Sequence, residues 1–158
     1  MADNVAYRPP IGFYFTVEIV GLSNADPIGF QEVRGLSFDI QTEEIVHGGD
    51  ITPYKVPTSI RYPNLVLKKG LIPKNKKYEK GSALFDWCQT SVTDQFKIKA
   101  YNINIQLLDR QQNPLASWTV IRAYPVKFEV SEFNAEQNAI VFETVELCYK
   151  RFQVESPN

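Results

Sequence analysis

At 158 residues the chain is long enough for one domain with a real core, and its formal net charge of −1 supplies no basic field to hold nucleic acid or an anionic membrane. The opening residues, MADNVAYRPP, contain no apolar stretch of the signal-peptide kind, and no run of about 18 apolar residues occurs, so no leader or membrane anchor is expected. Cys88 and Cys148 with a lone histidine match no metal-site spacing. A disulfide between them is one reading, but both cysteines sit in apolar patterns, where buried free thiols are common, and the free-thiol reading fits folding and assembly in a reducing cytoplasm.

A single domain spanning 1–158 is expected, with residues 1–10 as an extended arm because Pro9 and Pro10 oppose early pairing. From there the dominant period is two. In FYFTVEIV, Phe13, Phe15, Val17 and Ile19 alternate with Tyr14, Thr16 and Glu18, the mark of a half-buried strand. FQEV at 30–33, Gly35 and LSFDIQTEEIV follow, with Leu36, Phe38 and Ile40 on one face. The alternation breaks at Thr42–Glu44 and resumes out of phase at Ile45, which predicts a bulge or bend there.

The stretch VHGGDITPYKVP, 46–57, holds the only histidine. His47 precedes Gly48, Gly49 and Asp50, and two glycines permit the positive φ of a tight turn. Pro53 and Pro57 stiffen the return before and after Tyr54 and Lys55. Tyr54 places on the loop an aromatic, a residue type enriched at interfaces, where an ordinary hairpin tip with a surface histidine is the plainer reading. These residues read as a protruding contact loop. The chain then runs back through KVPTSIRY and NLVLKK to Lys74, Lys76, Lys77 and Lys80, which read as a solvated loop or as an electrostatic dock for an acidic partner.

Residues 83–92 change period. Leu84, Trp87, Cys88 and Val92 fall at helical spacing with Phe85 beside them, and Ser82 is placed to cap the helix. Three long β-type segments complete the chain, with turn signals at 112–114 and 134–138. In the strand 101–107, Tyr101, Ile103, Ile105 and Leu107 share an apolar face, while Asn102, Asn104 and Gln106 share a polar, uncharged one. Such a face suits an ordinary exposed strand or the wall of an enclosed aqueous space. In the last long segment Val141, Val145, Leu147 and Tyr149 oppose Ile140, Phe142, Cys148 and Phe152, so both faces need cover. About seven strands, mostly joined to sequence neighbours, predict a mainly β, antiparallel two-sheet β-barrel or sandwich with one flanking α-helix.

Catalytic chemistry finds little to work with. One imidazole and no G-x-S-x-G elbow leave a nucleophilic triad without its parts, and adjacent Glu43 and Glu44 on a strand point to opposite faces. No phosphate loop, dinucleotide fingerprint or calcium loop is present, so no catalytic, metal or cofactor residue is assigned.

Several stretches taken together are similar to a known family. GFYFTVEI at 12–19, FQEVRGLSFDIQTEE at 30–44, HGGD at 47–50, NLVLKKG at 64–70, LFDWC at 84–88, PLASWTV at 114–120 and AYPVKFEVSEFNAEQNAIVFETVELCY at 123–149 resemble the tail-tube proteins of contractile phages and of extracellular contractile injection systems. The resemblance implies a homo-hexameric ring, stacked rings forming a hollow tube inside a sheath, and hub, spike and neighbouring tube proteins as partners. It also implies one sheet continued around a lumen that could carry cargo, lined by Asn102, Asn104 and Gln106, and a long hairpin reaching the next ring through His47, Gly48, Gly49, Asp50, Tyr54 and Lys55. PVKFEVSEFNAEQNAI and ETVELCYKRF look closer to the paralogue that initiates the tube at the hub. The lysines at 74–80 match no motif of the family. The competing reading is a monomeric β-sandwich that binds a ligand.

Overall fold

A computed structural model of the protein describes residues 14–22, 28–70, 83–95, 97–132, 136 and 141–156. The arm at 1–10, Phe13, the lysines at 74–80, Ser82, Ile140 and all but Glu136 of the turn signal at 134–138 lie outside the described residues. Among the described residues ten strands and one helix occur in the order β1 (Tyr14–Val20), β2 (Ile28–Phe30), β3 (Glu32–Arg34), β4 (Asp39–Ile45), β5 (Tyr54–Arg61), β6 (Leu65–Gly70), α1 (Ala83–Thr93), β7 (Tyr101–Leu108), β8 (Pro114–Val130), β9 (Phe142–Cys148) and β10 (Arg151–Glu155). The count exceeds the seven expected because short β2 and β3 and the terminal β10 are too brief to show alternation.

Seven strands follow one antiparallel path, β2-β1-β7-β8-β9-β6-β3, and β10, added to β8, makes eight. The path folds over at β8, whose first part pairs with β7 and β10 and whose second part pairs with β9. One layer is therefore β2-β1-β7-β8-β10, and the other is β8-β9-β6-β3. This is a sandwich, as the alternation predicts, and not a closed barrel.

Two irregularities let β8 turn this corner. Between Tyr101 and Ile103 the register advances by three residues on β8, from Ala123 to Val120, and Arg122 there has φ of 52°. Its displaced N–H donates to Asn102 Oδ1 at 3.1 Å. A second extra residue, Val126, follows Pro125, which has no N–H to offer a ladder.

The inward faces make one core. Val17, Ile19, Ile103, Ile105 and Val120 come from one layer, Leu65, Leu67, Val145 and Leu147 from the other, and α1 adds Leu84, Trp87 and Cys88. The helix spacing read from the sequence thus holds, except that Val92 is 76% exposed and the fourth buried position is Ser91, whose hydroxyl donates to Trp87 O at 2.8 Å. Trp87 Nε1 donates to Lys99 O at 2.9 Å, and its ring meets Tyr101 edge-on at 5.4 Å, tying the helix to the start of β7.

The core also contains a charge pair. Lys69 and Glu143 are register partners on the inward face, with Nζ 3.2 Å from Oε2 and both side chains nearly buried. At the opposite end of β6, Gly35 has φ of +98°, and a Cβ there would lie 2.1 Å from Asn64 O. Tyr149 Oη donates to Gly35 O at 2.6 Å, so a glycine and a buried phenol fix the exit of β3. Cys88 and Cys148 are both free thiols, as their sequence settings suggest.

Candidate assembly interface

Strands β4 and β5 pair with each other and with no other strand among the described residues. Every residue of both is exposed, so neither face of the ribbon is backed by the sandwich. At its root the Phe38 ring contacts Tyr62 and Phe152, and Tyr62 packs on Tyr149 and Phe152 at 5.7 and 5.8 Å. Beyond this aromatic anchor the hairpin's side chains are exposed. At its tip Asp50 N–H donates to His47 O at 3.1 Å, and Gly49 has φ of +103°, as the glycine pair predicts.

The bulge lies elsewhere than the sequence suggests. β4 is continuous through Thr42–Glu44, and the extra residue is Thr58 on the opposite strand, since Gln41 pairs with Ser59 and Thr42 with Pro57. Thr58 Oγ1 donates across to Gln41 O at 3.1 Å. Pro57 lacks the N–H that regular pairing would use, which is why the irregularity falls beside it. The expected loop 46–57 is also shorter than read, because Tyr54, Lys55, Val56 and Pro57 belong to β5.

Cross-strand partners share a face, so the register sorts the hairpin's side chains. Ile40 and Ile60 lie together near the root on one face. Ile45, Tyr54 and Val56 lie together near the tip on the other, beside Glu43. Exposures of 54%, 57% and 68% for Ile40, Ile60 and Tyr54, and 99% for Ile51 at the turn, leave apolar surface bare on both sides. An isolated two-stranded ribbon is marginal in water, so a partner is the physical expectation.

The amide strand lies where its pattern predicts. Ile103 and Ile105 are fully buried, while Asn102 and Gln106 are exposed and Asn104 is half-buried on the outer face. Register extends this face into rows, Glu18–Asn104–Thr119–Gln153 and Thr16–Gln106–Ser117–Glu155. The sequence reading missed the partners, which only pairing can align with β7. The three amides are not equivalent: Asn102 caps the β8 bulge, Asn104 Oδ1 lies 3.2 Å from Thr119 Oγ1, and Gln106 makes no side-chain hydrogen bond among the described residues.

The outer face of the other layer differs. Glu32, Arg34, Lys68, Lys127, Glu129 and Glu146 carry it, with ion pairs Arg34–Glu32 at 2.9 Å and Lys127–Glu129 at 3.1 Å. Glu129 raises the Lys127 ammonium above its usual range. Lys68 sits over the Phe142 ring, 4.7 Å from its centroid. Thus one layer shows water mainly amides and hydroxyls, and the other shows matched charges.

His47 stands alone at the hairpin tip, and burial pushes the Cys88 thiol up to about 11, far from a thiolate at neutral pH. Among the described residues no three metal-ligating side chains converge. No helix among them is long and apolar enough to cross a membrane.

A sandwich with an unbacked apolar ribbon and two contrasting outer faces is an assembly subunit by build. The family model of the T4-like virus tail tube protein gp19 matches residues 11–153, and the chain belongs to that family. It is a tail tube protein of the contractile-injection kind, and the family is structural. Among solved structures, a chain of the extracellular contractile injection system PVC sheath–tube complex in its extended state is 25% identical at a TM-score of 0.77, covering 96% of this chain and 94% of that one. A chain of the anti-feeding prophage tube-terminating cap is 25% identical at 0.76, covering 99% and 97%. Hcp1 from Salmonella typhimurium shares the fold at 16% identity and 0.57, over 92% and 87%. No curated protein matches the chain.

Proposed function

We propose that six copies of this chain close into a ring and that rings stack into the hollow inner tube of an injection-system or phage-tail particle. The observation that carries this reading is the β4–β5 hairpin, which has apolar side chains exposed on both faces and no strand beside it among the described residues. A hairpin reaching into an adjoining ring would bury Tyr54, Ile45 and Val56, with His47, Gly48, Gly49, Asp50 and Lys55 at the contact. The outer face bearing Asn102, Asn104 and Gln106 would line the lumen, where neutral amides hold water without gripping charged cargo.

The function is mechanical. A tube driven forward by a contracting sheath must resist buckling, which calls for obligate contacts on the order of 2,000 Å² or more per pair. A heterologous contact that closes at six makes a ring, and stacking extends it. Sheath, hub and spike are the partners in this reading, assembly begins in the cytoplasm, and no residue has a catalytic role.

Negative-stain microscopy of the purified protein over a concentration series, with light scattering alongside, tests the proposal. Six-fold rings or hollow rods are expected. Rings that never stack would identify the layer that initiates the tube at the hub, as the strings at 125–140 and 143–152 suggest. A strict monomer at every concentration, even with hub protein added, would overturn the assembly reading in favour of a ligand-binding sandwich.

A further inference from the structure

The hairpin needs a socket, and the opposite end of the same molecule holds one. Chain order and register define the two ends. The hairpin's return strand leads directly to Leu65, where β6 begins, and β6 runs six residues away to Gly70, a span of about 20 Å. At the Gly70 end opens a cavity of about 720 Å³, bounded by the start of β1, the end of β7 and the turn after it. Its wall includes Phe15, Phe30 and Leu108 together with Lys69, Arg110 and Gln112. That volume falls within the range of roughly 300–1,000 Å³ over which proteins engulf sizeable groups.

The charges are complementary. The Lys69 ammonium is already matched by Glu143. Arg110 is exposed and forms no ion pair among the described residues, so it is the free cation of the cavity rim. The outer half of the hairpin carries Glu43, Glu44 and Asp50 against Lys55 alone, and none of these four is in an ion pair among the described residues. Glu44 faces Lys55 across the ribbon without forming one. An acidic, apolar projection at one end and a cationic, apolar cavity at the other cannot meet within one copy. They are arranged for head-to-tail contact between copies, which propagates without limit.

We propose that the hairpin tip of one protomer seats in this cavity of a protomer in the adjoining ring, with Tyr54, Ile45 or Ile51 against Phe15, Phe30 and Leu108, and a hairpin carboxylate on Arg110. The occupant is a second copy of this chain, and the inference rests on the stacked-ring reading above.

Two experiments test it. Arg110→Glu should raise the concentration needed for stacking about tenfold or more, as expected for losing one well-placed charge contact, while the melting temperature stays unchanged. Adding Glu43→Lys and Glu44→Lys to the same chain should restore stacking. In parallel, Ile51→Cys with Gln112→Cys, on a Cys148→Ser background, should give covalent dimers and higher oligomers on oxidation of assembled protein, and neither single cysteine should do so. If rods form but the double-cysteine chain gives no linked species and Arg110→Glu stacks normally, the socket is wrong and the tube reading stands. If no variant and no parent chain assembles at any concentration, even with hub protein added, both fall together.

Discussion

The sandwich and the hairpin use the same residue types and the same two-residue period, yet meet opposite fates. In β6, Leu65 and Leu67 are fully buried, whereas in β4 and β5 Ile40, Ile60 and Tyr54 are more than half exposed. Alternation says that a strand has two unlike faces; it does not say what lies against them. In the sandwich the second layer is supplied by the same chain, and in the hairpin it is not. Apolar content in the core therefore serves stability, and under the stacked-ring proposal apolar content in the hairpin serves assembly.

Substitutions should separate these two uses. The largest effect is expected at Gly35, where an added Cβ meets the Asn64 carbonyl and the backbone is left-handed. Gly35→Ala should cost roughly 3 kcal/mol or more in thermal or denaturant unfolding. A near-neutral result would mean that the β3 exit can shift freely.

Next comes the buried ion pair. Lys69→Met strands the Glu143 carboxylate and should lose about 3–5 kcal/mol, whereas Lys69→Met with Glu143→Leu should recover most of it. Equal losses in the single and double variants would show that packing, and not charge, dominates there.

Alkaline pH probes the same core. Burial pushes Cys88 up to about 11 and Tyr149 to about 12, the neighbouring Tyr62 and Cys148 adding to the second. Both groups hold their protons more tightly when folded than when unfolded. Their stabilisation is complete below pH 9 and is lost as pH rises, from 9 to 11 for the thiol and from 10 to 12 for the phenol. Cys88→Ala should remove the earlier part of the decline in a melting-temperature series and leave the later part.

Smaller effects should distinguish the amides. Asn102→Ala removes the acceptor for the Arg122 N–H and should cost about 1 kcal/mol, while Gln106→Ala should be neutral within about 0.5 kcal/mol. The smallest effect on folding is expected in the hairpin. Ile45→Ser with Tyr54→Ser should leave monomer stability within about 0.5 kcal/mol and yet abolish ring stacking in electron micrographs. A large drop in melting temperature would show that the ribbon is held by its own domain after all.

Period, spacing and turn chemistry made much of this protein legible in advance. Alternation in β1, β7 and β9, helical spacing in α1, and the glycine turn at 48–49 follow from local geometry, and that geometry acts wherever the residues are placed. They were sufficient for a mainly β sandwich with one helix, and the quoted strings sufficed for the family. The amides at 102, 104 and 106 were identified from the sequence as one face. Their partners Thr16, Glu18, Ser117, Thr119 and Gln153 were not, because no local signal encodes register between distant strands.

Tertiary structure alone decided the rest. The bulge was assigned to Thr42–Glu44 but lies at Thr58, because the missing Pro57 donor acts on the pairing and not on the strand that shows the broken pattern. Lys69 looks like a solvent lysine in LVLKKG, yet the alternation that buries Leu65 and Leu67 carries it inward to Glu143. The cavity beside Gly70 is formed by β1, β2, β6 and β7 and the turn after β7, which are far apart in the chain. Local preferences are set by a residue and its near neighbours, so they can be read along the chain. Which surfaces are covered, and which remain for another molecule, depends on contacts between residues a hundred positions apart, and only the folded arrangement contains those.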